Sequence, residues 1–333
     1  MNRKVTSLDV ALRAGVSQSA VSRVFSGASA SKSTQKKVRE AAEALGYRPN
    51  RLARGLITGR SRIIGLVVAY LDNQFYPDAV ERLSNVLQEQ GYHILIFTVR
   101  GHGEHVEDTF NQLLDYQVDG IIAASVGISD ELTDKCAAAG IPVVLFNRGH
   151  EGRTLSHVTS NNRAGAAKIA EFLVAGGHTR IGHVSGWMGS TTGVDRALGF
   201  AQGLADAGAT LVGQEDGMYR RDVAAEMAEK LVVDQGCDAL FVGNDHMAFG
   251  VMDHLRGTLN LRIPDDVSIV GYDDVSIASW VAYDLTTLRQ PTNRMVSATV
   301  DTLMGLIERT GDTQHIEIDG PLMIRSSARR PKG

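Results

Sequence analysis

The sequence predicts a small all-α headpiece followed by an α/β two-lobed domain with two parallel sheets flanked by helices. Three observations lead to this fold class: a basic amino-terminal stretch before an acidic remainder, a series of short capped helices, and a later alternation of strands with amphipathic helices. The chain has 333 residues, of which 43% are hydrophobic, and this is enough for two or three domains with their own cores.

Charge is distributed unevenly along the chain. Residues 1–62 hold 13 Lys and Arg against three acids, Asp9, Glu40 and Glu43, so this stretch carries +10 although the whole chain carries −4. The remainder therefore carries −14. A basic module followed by an acidic body is typical of a protein that binds a polyanion. A basic tail kept for solubility is the alternative, but this stretch is patterned rather than low in complexity.

Capping signals predict three short helices at the amino terminus. Thr6 and Asp9 have the hydroxyl-to-acid spacing of a capping box at the start of the first helix. Ser17 caps a second helix over 18–25, and a third follows over about 31–45. Two short helices closed by a third indicate a helix-turn-helix.

The outward face of the second predicted helix is polar and lacks acidic residues. Its members are Gln18, Ser19, Ser22 and Arg23. Gln and Arg side chains can read the hydrogen-bonding groups of bases in a DNA major groove. A three-helix bundle that binds another protein is the alternative, which the strong positive charge disfavours.

Two runs in this part of the chain resemble a known family. LDVALRAGVSQSAVSRV at 8–24 and LGYRPNRLAR at 45–54 closely resemble the lactose-repressor and purine-repressor family of bacterial transcription regulators. The resemblance implies binding to double-stranded operator DNA. It implies base contacts from Gln18, Ser19 and Arg23. It implies phosphate contacts from Thr6, Ser17 and Ser22.

The segment 50–62 is interpreted as a hinge and linker. In the family it forms a short helix that pairs with its dimer mate in the minor groove, where a leucine wedges between base pairs. Leu56 stands at that position, with Asn50 and Ala53 beside it. A flexible basic linker whose leucine packs on the body is the alternative, and Gly55 departs from what a helix favours.

From residue 63 onward, short apolar runs alternate with amphipathic stretches. The runs predict strands at 63–68, 94–98, 121–124, 143–146, 181–185, 239–242, 268–271 and 285–288. The stretches predict helices at 77–90, 107–116, 131–139, 163–175, 194–207, 223–233 and 247–256. Such alternation is typical of parallel sheets covered on both faces, and the strands are too many for one small sheet. The body is therefore predicted to have two lobes with a cleft between them.

The resemblance continues through this body, which in the family is similar to periplasmic sugar-binding proteins. Its landmarks are the segments 142–148, 196–200, 243–250, 263–274 and 321–325. It implies a headpiece over 1–49, a hinge over 50–62 and an effector-binding and dimerisation domain over 63–333. Because the family's chain crosses between lobes three times, it implies an N-lobe of about 63–160 and 292–320 and a C-lobe of about 161–291 and 321–333.

Residues near the carboxyl ends of the predicted strands are the effector-binding candidates, because ligands of open parallel sheets bind there. They are Phe75, Ser125, Asn147, Arg148, Arg196 and Asp245. Two arginines in one cleft suit a carboxylate or phosphate on the effector. Asp245 is either a bidentate acceptor for the effector or a helix cap, and Phe75 is either a stacking ring or a core aromatic.

Two departures from the family bear on the class of effector. Asn161 stands where family members often carry an aspartate, and Asn147 and Arg148 differ from the purine-binding branch. A small sugar or sugar acid is therefore favoured, and a nucleobase or nucleoside stays open as the alternative.

The sequence contains no motif that indicates an enzyme or a cofactor site. It has no dinucleotide-binding or phosphate-binding glycine loop and no G-x-S-x-G nucleophile motif. His102 and His105 lack a third ligand at a diagnostic spacing, and Cys136 and Cys237 are the only cysteines. We therefore expect no enzyme activity, no cofactor, no metal site and no disulfide framework.

The sequence has neither an apolar run of the signal-peptide kind nor a segment that could span a bilayer. This predicts a cytoplasmic, nucleoid-associated protein without a membrane partner, and it disfavours a periplasmic sugar-transport protein. Palindromic DNA readout needs a two-fold dimer. The tail after residue 325 lacks the leucine heptads that make tetramers in this family, so we expect a homodimeric repressor.

Overall fold

The computed structural model describes residues 5–26, 28–48, 60–99, 106–149 and 155–331. The chain divides into two compact units, and the boundary between them lies between Ser61 and Arg62. Some of the residues singled out in the sequence lie outside the described residues, namely Asn50, Ala53, Gly55, Leu56, His102 and His105. None of the described helices combines the length and the apolar character that crossing a bilayer requires.

The described part of the first unit contains three helices: α1 Ser7–Ala14, α2 Gln18–Ser26 and α3 Lys32–Leu45. The predicted capping box is present, because the Asp9 N–H donates to Thr6 Oγ1 at 3.4 Å and the Thr6 N–H donates to Asp9 Oδ2 at 2.8 Å. Gly15 follows α1 with a φ of 64°, a left-handed conformation that glycine adopts without strain. The chain thereby turns sharply into α2.

The three helices enclose a small apolar core. Each contributes one almost completely buried valine, namely Val10, Val21 and Val38. The Phe25 ring packs against Tyr47 at 5.8 Å between ring centroids. Since the apolar side of α2 faces this core, its polar side is left on the surface. The predicted helix-turn-helix is confirmed, with α2 ending one residue beyond the predicted end.

The second unit is an α/β domain. Its strands are β1 Ile63–Val68, β2 His93–Thr98, β3 Gly120–Ala124, β4 Val143–Phe146, β5 Ser156–Ser160, β6 Ile181–Ser185, β7 Leu211–Asp216, β8 Ala239–Val242, β9 Ser268–Asp273, β10 Thr286–Arg289, β11 His315–Ile318 and β12 Leu322–Met323. Its helices are α4 Phe75–Glu89, α5 Val106–Asp115, α6 Asp130–Ala138, α7 Asn162–Ala175, α8 Thr191–Asp206, α9 Arg221–Glu229, α10 Asp245–Gly257 and α11 Thr292–Glu308.

These strands form two six-stranded sheets, in the spatial orders β11-β5-β4-β3-β1-β2 and β12-β10-β9-β8-β6-β7. The pairing of β12 with β10 is antiparallel, and the other strand pairs are parallel. β3 and β9 are buried at every position, because helices cover both faces of a parallel sheet. The predicted two-lobed α/β fold class is confirmed. We call the sheet that contains β1, with its helices, the first lobe, and the sheet that contains β6, with its helices, the second lobe.

The sequence pattern does not predict β5, β7, β11, β12 or α11. The four strands are short or polar and lie at or next to the sheet edges, where a continuous apolar run is not required. α11 buries Thr299 and Thr302 beside its apolar residues, so hydrophobic residues alone do not mark its buried face.

The chain passes between the lobes at three places. These are the connections between β5 and α7, between β10 and α11, and between β11 and β12. α11 packs on α4 and on β3, β4 and β5, so a late part of the chain completes the first lobe.

Candidate functional site

The polar face of α2 forms an exposed surface on the first unit. All six residues predicted there to contact DNA are solvent-exposed, namely Thr6, Ser17, Gln18, Ser19, Ser22 and Arg23. Ser17 Oγ accepts a hydrogen bond from the Ala20 N–H at 3.2 Å and so caps α2. Gln18 Nε2 donates to Ser7 Oγ at 2.9 Å, which ties the start of α2 to α1.

A small cavity that is partly open to solvent lies between the lobes of the second unit. The first lobe contributes Tyr70, Asn73, Tyr76, Ser125, Asn147 and Arg148. The second lobe contributes Thr192, Arg196, Tyr219, Asn244 and Asp273. Most of these residues follow the carboxyl ends of parallel strands, which is where such sheets bind ligands. The predicted effector residues Ser125, Asn147, Arg148 and Arg196 all line this cavity.

Arg196 is a buried cation at the base of the cavity. Its Nε donates to Asn162 Oδ1 at 2.9 Å, and its Nη1 donates to the Gly243 carbonyl at 2.6 Å. Its guanidinium lies 3.6 Å from the centroid of the Tyr272 ring, and its Nη2 is 3.6 Å from Asp273 Oδ1. The contacts fix the guanidinium plane, because Arg donors have a rigid fork geometry.

Close helix packing brings Arg196 to Asn162. Arg196 lies on α8, and Asn162 is the first residue of α7. A Cβ atom at Gly199 would lie 2.3 Å from the Arg163 carbonyl oxygen, so only glycine permits this approach of α8 to α7. The glycine thus sets the position of a cavity side chain one turn away.

Asp273 supplies the carboxylate of the cavity. Burial raises its pKa to about 6, although the Arg196 cation and a hydrogen bond from Gln290 act in the opposite direction. The Gln290 Nε2 donates to Asp273 Oδ1 at 2.7 Å. Asp273 is therefore protonated more readily than an exposed aspartate.

Several cavity residues have a strained backbone. Tyr70, Ser125, Asn147, Tyr219 and Asp273 all have positive φ values, between 55° and 130°. Such conformations cost about 1–3 kcal/mol each and tend to cluster at binding sites. The strain holds side chains in directions that an ordinary strand end would not give them.

Three buried polar atoms of the cavity residues have no hydrogen-bond partner within the described part of the chain: Asn147 Oδ1, Arg148 Nε and Tyr219 OH. A buried polar group without a partner is unfavourable, so these atoms are suited to meet a ligand. They include one acceptor, one donor and one hydroxyl that can act as either.

Phe75 and Asp245, which the sequence also predicts as effector residues, do not line this cavity. Phe75 is 3% exposed, and its ring packs against Phe146 at 6.1 Å and Tyr76 at 5.2 Å, so its place is that of a core aromatic. Asp245 is fully buried within the second lobe.

Both carboxylate oxygens of Asp245 have partners inside the protein. Oδ2 accepts from the Val275 N–H at 3.0 Å, and Oδ1 accepts from Thr287 Oγ1 at 2.5 Å. The cap of α10 is the neighbouring residue Asn244, whose Oδ1 accepts from the Met247 N–H at 2.9 Å. Burial and the negative charge of Asp273 raise the pKa of Asp245. The sequence alone does not distinguish an aspartate that binds an effector from an aspartate at a helix start that accepts hydrogen bonds inside the protein.

Sequence reasoning missed Asp273 as a cavity residue. The sequence pattern predicts that the strand beginning at residue 268 ends at residue 271, two residues before the observed end of β9. Had the strand been extended to Asp273, the same strand-end rule would have selected this carboxylate.

A headpiece with an exposed polar helix, followed in the chain by a two-lobed domain with a polar interlobe cavity, is the organisation of a DNA-binding transcription regulator. The description "Bacterial regulatory proteins, lacI family" matches residues 6–50, and "Periplasmic binding protein-like domain" matches residues 170–328. The chain belongs to the lacI family of bacterial regulatory proteins.

Relatives of known description cover nearly the whole chain. The HTH-type transcriptional repressor PurR of Vibrio vulnificus is 30% identical over 334 residues, which cover 98% of this chain and 99% of that protein. PurR of Vibrio cholerae is 32% identical over 317 residues, or 93% of each chain. These relatives are regulators, so the expectation that the chain is not an enzyme is confirmed.

Solved structures extend the similarity. The lac repressor dimer bound to operator and the anti-inducer ONPF has a TM-score of 0.88 at 26% identity, over 98% of this chain and 99% of that chain. The complex of the regulator CelR with cellobiose has a TM-score of 0.73 at 29% identity, over 97% and 100%.

Replacement of Asp245 tests its place in the fold. Asp245→Ala leaves the Val275 N–H and the Thr287 hydroxyl without their acceptor, so we expect the free energy of unfolding to fall by about 2 kcal/mol. Urea denaturation followed by circular dichroism measures this. Asp222→Ala is the control, because Asp222 is exposed and its ion pair with Arg220 lies on the surface. Wild-type stability of Asp245→Ala together with a lost effector response would instead make Asp245 a ligand residue.

Proposed function

We propose that the chain represses transcription by binding a palindromic operator as a homodimer, and that a small sugar or sugar acid in the interlobe cavity controls this binding. The observation that carries the proposal is the set of buried, unpartnered polar atoms beside the Arg196–Asp273 pair. Such a cavity suits a ligand that carries several hydroxyl groups. The relatives' description as repressors supports the sign of regulation.

The DNA contacts follow from the exposed face of α2. Gln18, Ser19 and Arg23 would enter the major groove and meet base edges, which Gln and Arg can bind with two hydrogen bonds. The hydroxyl groups of Thr6, Ser17 and Ser22 would meet phosphates. The hinge residues would add a minor-groove contact: Asn50, Ala53 and Leu56.

Two exposed apolar features support assembly into a homodimer. β2 is an edge strand, and its Ile96 is 47% exposed. Trp280 and Val281 are 57% and 98% exposed, which is unusual for large apolar side chains. An exposed edge strand and exposed apolar residues are typical of surfaces that bind another chain. The lac repressor structure, which is similar over nearly the whole chain, is a dimer.

The cavity chemistry supports a polyhydroxylated effector. Arg196 offers donors in a fixed plane, and Asp273 offers a carboxylate that can accept from neighbouring hydroxyls. Asn147 adds an acceptor from the opposite lobe. The CelR structure, a complex with cellobiose, supports the sugar class by similarity.

A nucleobase or nucleoside is the second candidate. The PurR relatives, which are similar over nearly the whole chain, favour it. Tyr70, Tyr76 and Tyr219 line the cavity and could stack on a flat ring. Titration of the chain with purines as well as sugars distinguishes the two candidates.

The recognition helix is tested by paired substitutions. On an operator selected in vitro from random DNA, Arg23→Ala is expected to weaken binding by roughly 1–3 kcal/mol and to relax the preference at one base position per half-site. Lys36→Ala, which removes an exposed cation of α3, should weaken binding to all sequences about equally. Fluorescence anisotropy on operator and random DNA measures both variants. Equal losses on the two DNAs for both variants would contradict the assignment.

The assembly state is tested in solution. We expect a stable dimer at micromolar concentration by light scattering, and a shift toward monomer when Ile96→Asp places a charge on the β2 edge. Val233→Asp is the control, because Val233 is a similarly exposed apolar residue on the π-helical turn Lys230–Asp234 of the second lobe, whereas β2 belongs to the first lobe. A wild-type monomer or tetramer would speak against the proposed dimer.

The role of Asp273 predicts a pH dependence. A ligand whose hydroxyls donate to the ionised carboxylate competes with protonation, and the pKa of Asp273 is about 6 in the free protein. Affinity should therefore be lowest in acid, rise about tenfold from pH 5 to pH 7, and level off above pH 7. Calorimetric titration with the neutral sugar that binds tightest measures this. Asp273→Asn should bind more weakly at pH 7 and show no such rise, whereas a flat profile for the wild-type chain would exclude this contact.

A further inference from the structure

Arg148 is a buried cation without a paired carboxylate among the described residues. It follows β4, is only 8% exposed and lines the cavity. Within the described part of the chain its Nε has no hydrogen-bond partner, and no carboxylate lies within 4.0 Å of its guanidinium. Its guanidinium lies 5.7 Å from the ring centroid of Trp187, which belongs to the second lobe.

The other cavity arginine differs in this respect. Arg196 has the Asp273 carboxylate at 3.6 Å as a countercharge and donates hydrogen bonds to the Gly243 carbonyl and to Asn162. The side chains that line the cavity therefore include two arginines and one carboxylate, and the unmatched positive charge belongs to Arg148. A buried charge is costly unless it is paired, so this position favours an anion.

Arg148 is also held in place. The Asn147 carbonyl accepts a hydrogen bond from Thr192 Oγ1 at 3.1 Å, and the Gly149 N–H donates to Thr191 Oγ1 at 3.1 Å. Thr191 and Thr192 are the first two residues of α8, so both neighbours of Arg148 are bound to the amino-terminal end of a helix in the opposite lobe. That helix end carries a partial positive charge and adds to the attraction for an anion.

We propose that Arg148 is the counter-ion for an anionic group of the effector, a carboxylate or a phosphate, and that it makes the cavity select a polyhydroxylated acid over the neutral sugar of the same size. This inference rests on the proposed function, since it assigns a second contact to the same bound ligand. Arg196 and Asp273 hold the hydroxyl end, and Arg148 meets the charged end. Arg is suited to this role because its donors can bind two oxygens of a carboxylate or phosphate at once.

The test compares matched acids and neutral sugars on the full chain. D-Glucose, D-gluconate, D-glucuronate and glucose 6-phosphate, with the corresponding galactose series, are titrated by calorimetry at pH 7.5, together with hypoxanthine and guanine. We expect at least one acid to bind tenfold or more tightly than its neutral partner, equivalent to about 1.4 kcal/mol. Preference for an aldonate or uronate identifies a carboxylate, and preference for the sugar phosphate identifies a phosphate.

Variants at Arg148 separate charge recognition from a structural role. Arg148→Gln should weaken the acid at least tenfold more than it weakens the neutral sugar and so remove the preference for the acid, whereas Arg148→Lys should retain part of the preference. Arg163→Gln is the control with the same change in charge, because Arg163 is exposed and pairs with Asp195 outside the cavity. Thermal unfolding without ligand checks that each variant is folded.

The outcomes distinguish this inference from the proposed function. If neutral sugars bind as tightly as their acids, or if Arg148→Gln weakens both equally, the counter-ion role is wrong and the sugar effector stands. If only a purine binds, the sugar effector and the counter-ion role both fail. Retention of the acid preference in Arg148→Gln also overturns the inference.

Discussion

The second unit is organised around the buried guanidinium of Arg196. This one group contacts the start of α7 through Asn162, the end of β8 through the Gly243 carbonyl, and the end of β9 through Tyr272 and Asp273. Burial of a cation is unfavourable unless its donors are satisfied, so each of these elements must end where it does. The Tyr272 ring beneath the guanidinium is itself fixed by a 2.7 Å hydrogen bond between its hydroxyl and Ser160 at the end of β5. Through that bond the arrangement extends from the second lobe into the first.

The features that suit the cavity to bind a ligand also lower its local stability. Its residues combine strained backbone conformations with polar atoms that have no partner in the described structure. Either feature alone lowers the stability of the fold. The well-packed strands next to the cavity, such as the fully buried β3 and β9, compensate for this loss of stability. A rigid, unsatisfied site loses little conformational entropy when a ligand arrives.

Most of the architecture could be predicted from the sequence because its signals are local. The Thr6–Asp9 capping box and Gly15 define the first turn of the headpiece, and the apolar runs define the central strands. The strand-end rule also found Arg148 and Arg196, since the carboxyl ends of parallel strands face the cleft whatever the residue.

The features that could not be predicted depend on contacts between residues that are far apart in the sequence. Edge strands such as β7 and β11 lack a long apolar run, because one side of each has no neighbouring strand. Asp245 and Asp273 carry the same carboxylate, so the sequence does not show that Asp245 forms hydrogen bonds inside the protein while Asp273 lines the cavity. The positive φ values at Ser125 and Asn147 depend on the surrounding packing and cannot be predicted from the residue type alone.

The late return of the chain to the first lobe has a consequence for biosynthesis. β1 to β5 leave the ribosome early, but α11, which covers β3, β4 and β5, and β11, which pairs with β5, follow only after most of the second lobe. A nascent chain therefore displays an uncovered apolar sheet face and a free strand edge for most of its synthesis, a state prone to aggregation and to capture by chaperones. The second lobe, continuous from α7 to β10, then lacks only its edge strand β12 and the residues after it. We expect the central strands of the second lobe to pack against α7 to α10 while the first lobe is still incomplete.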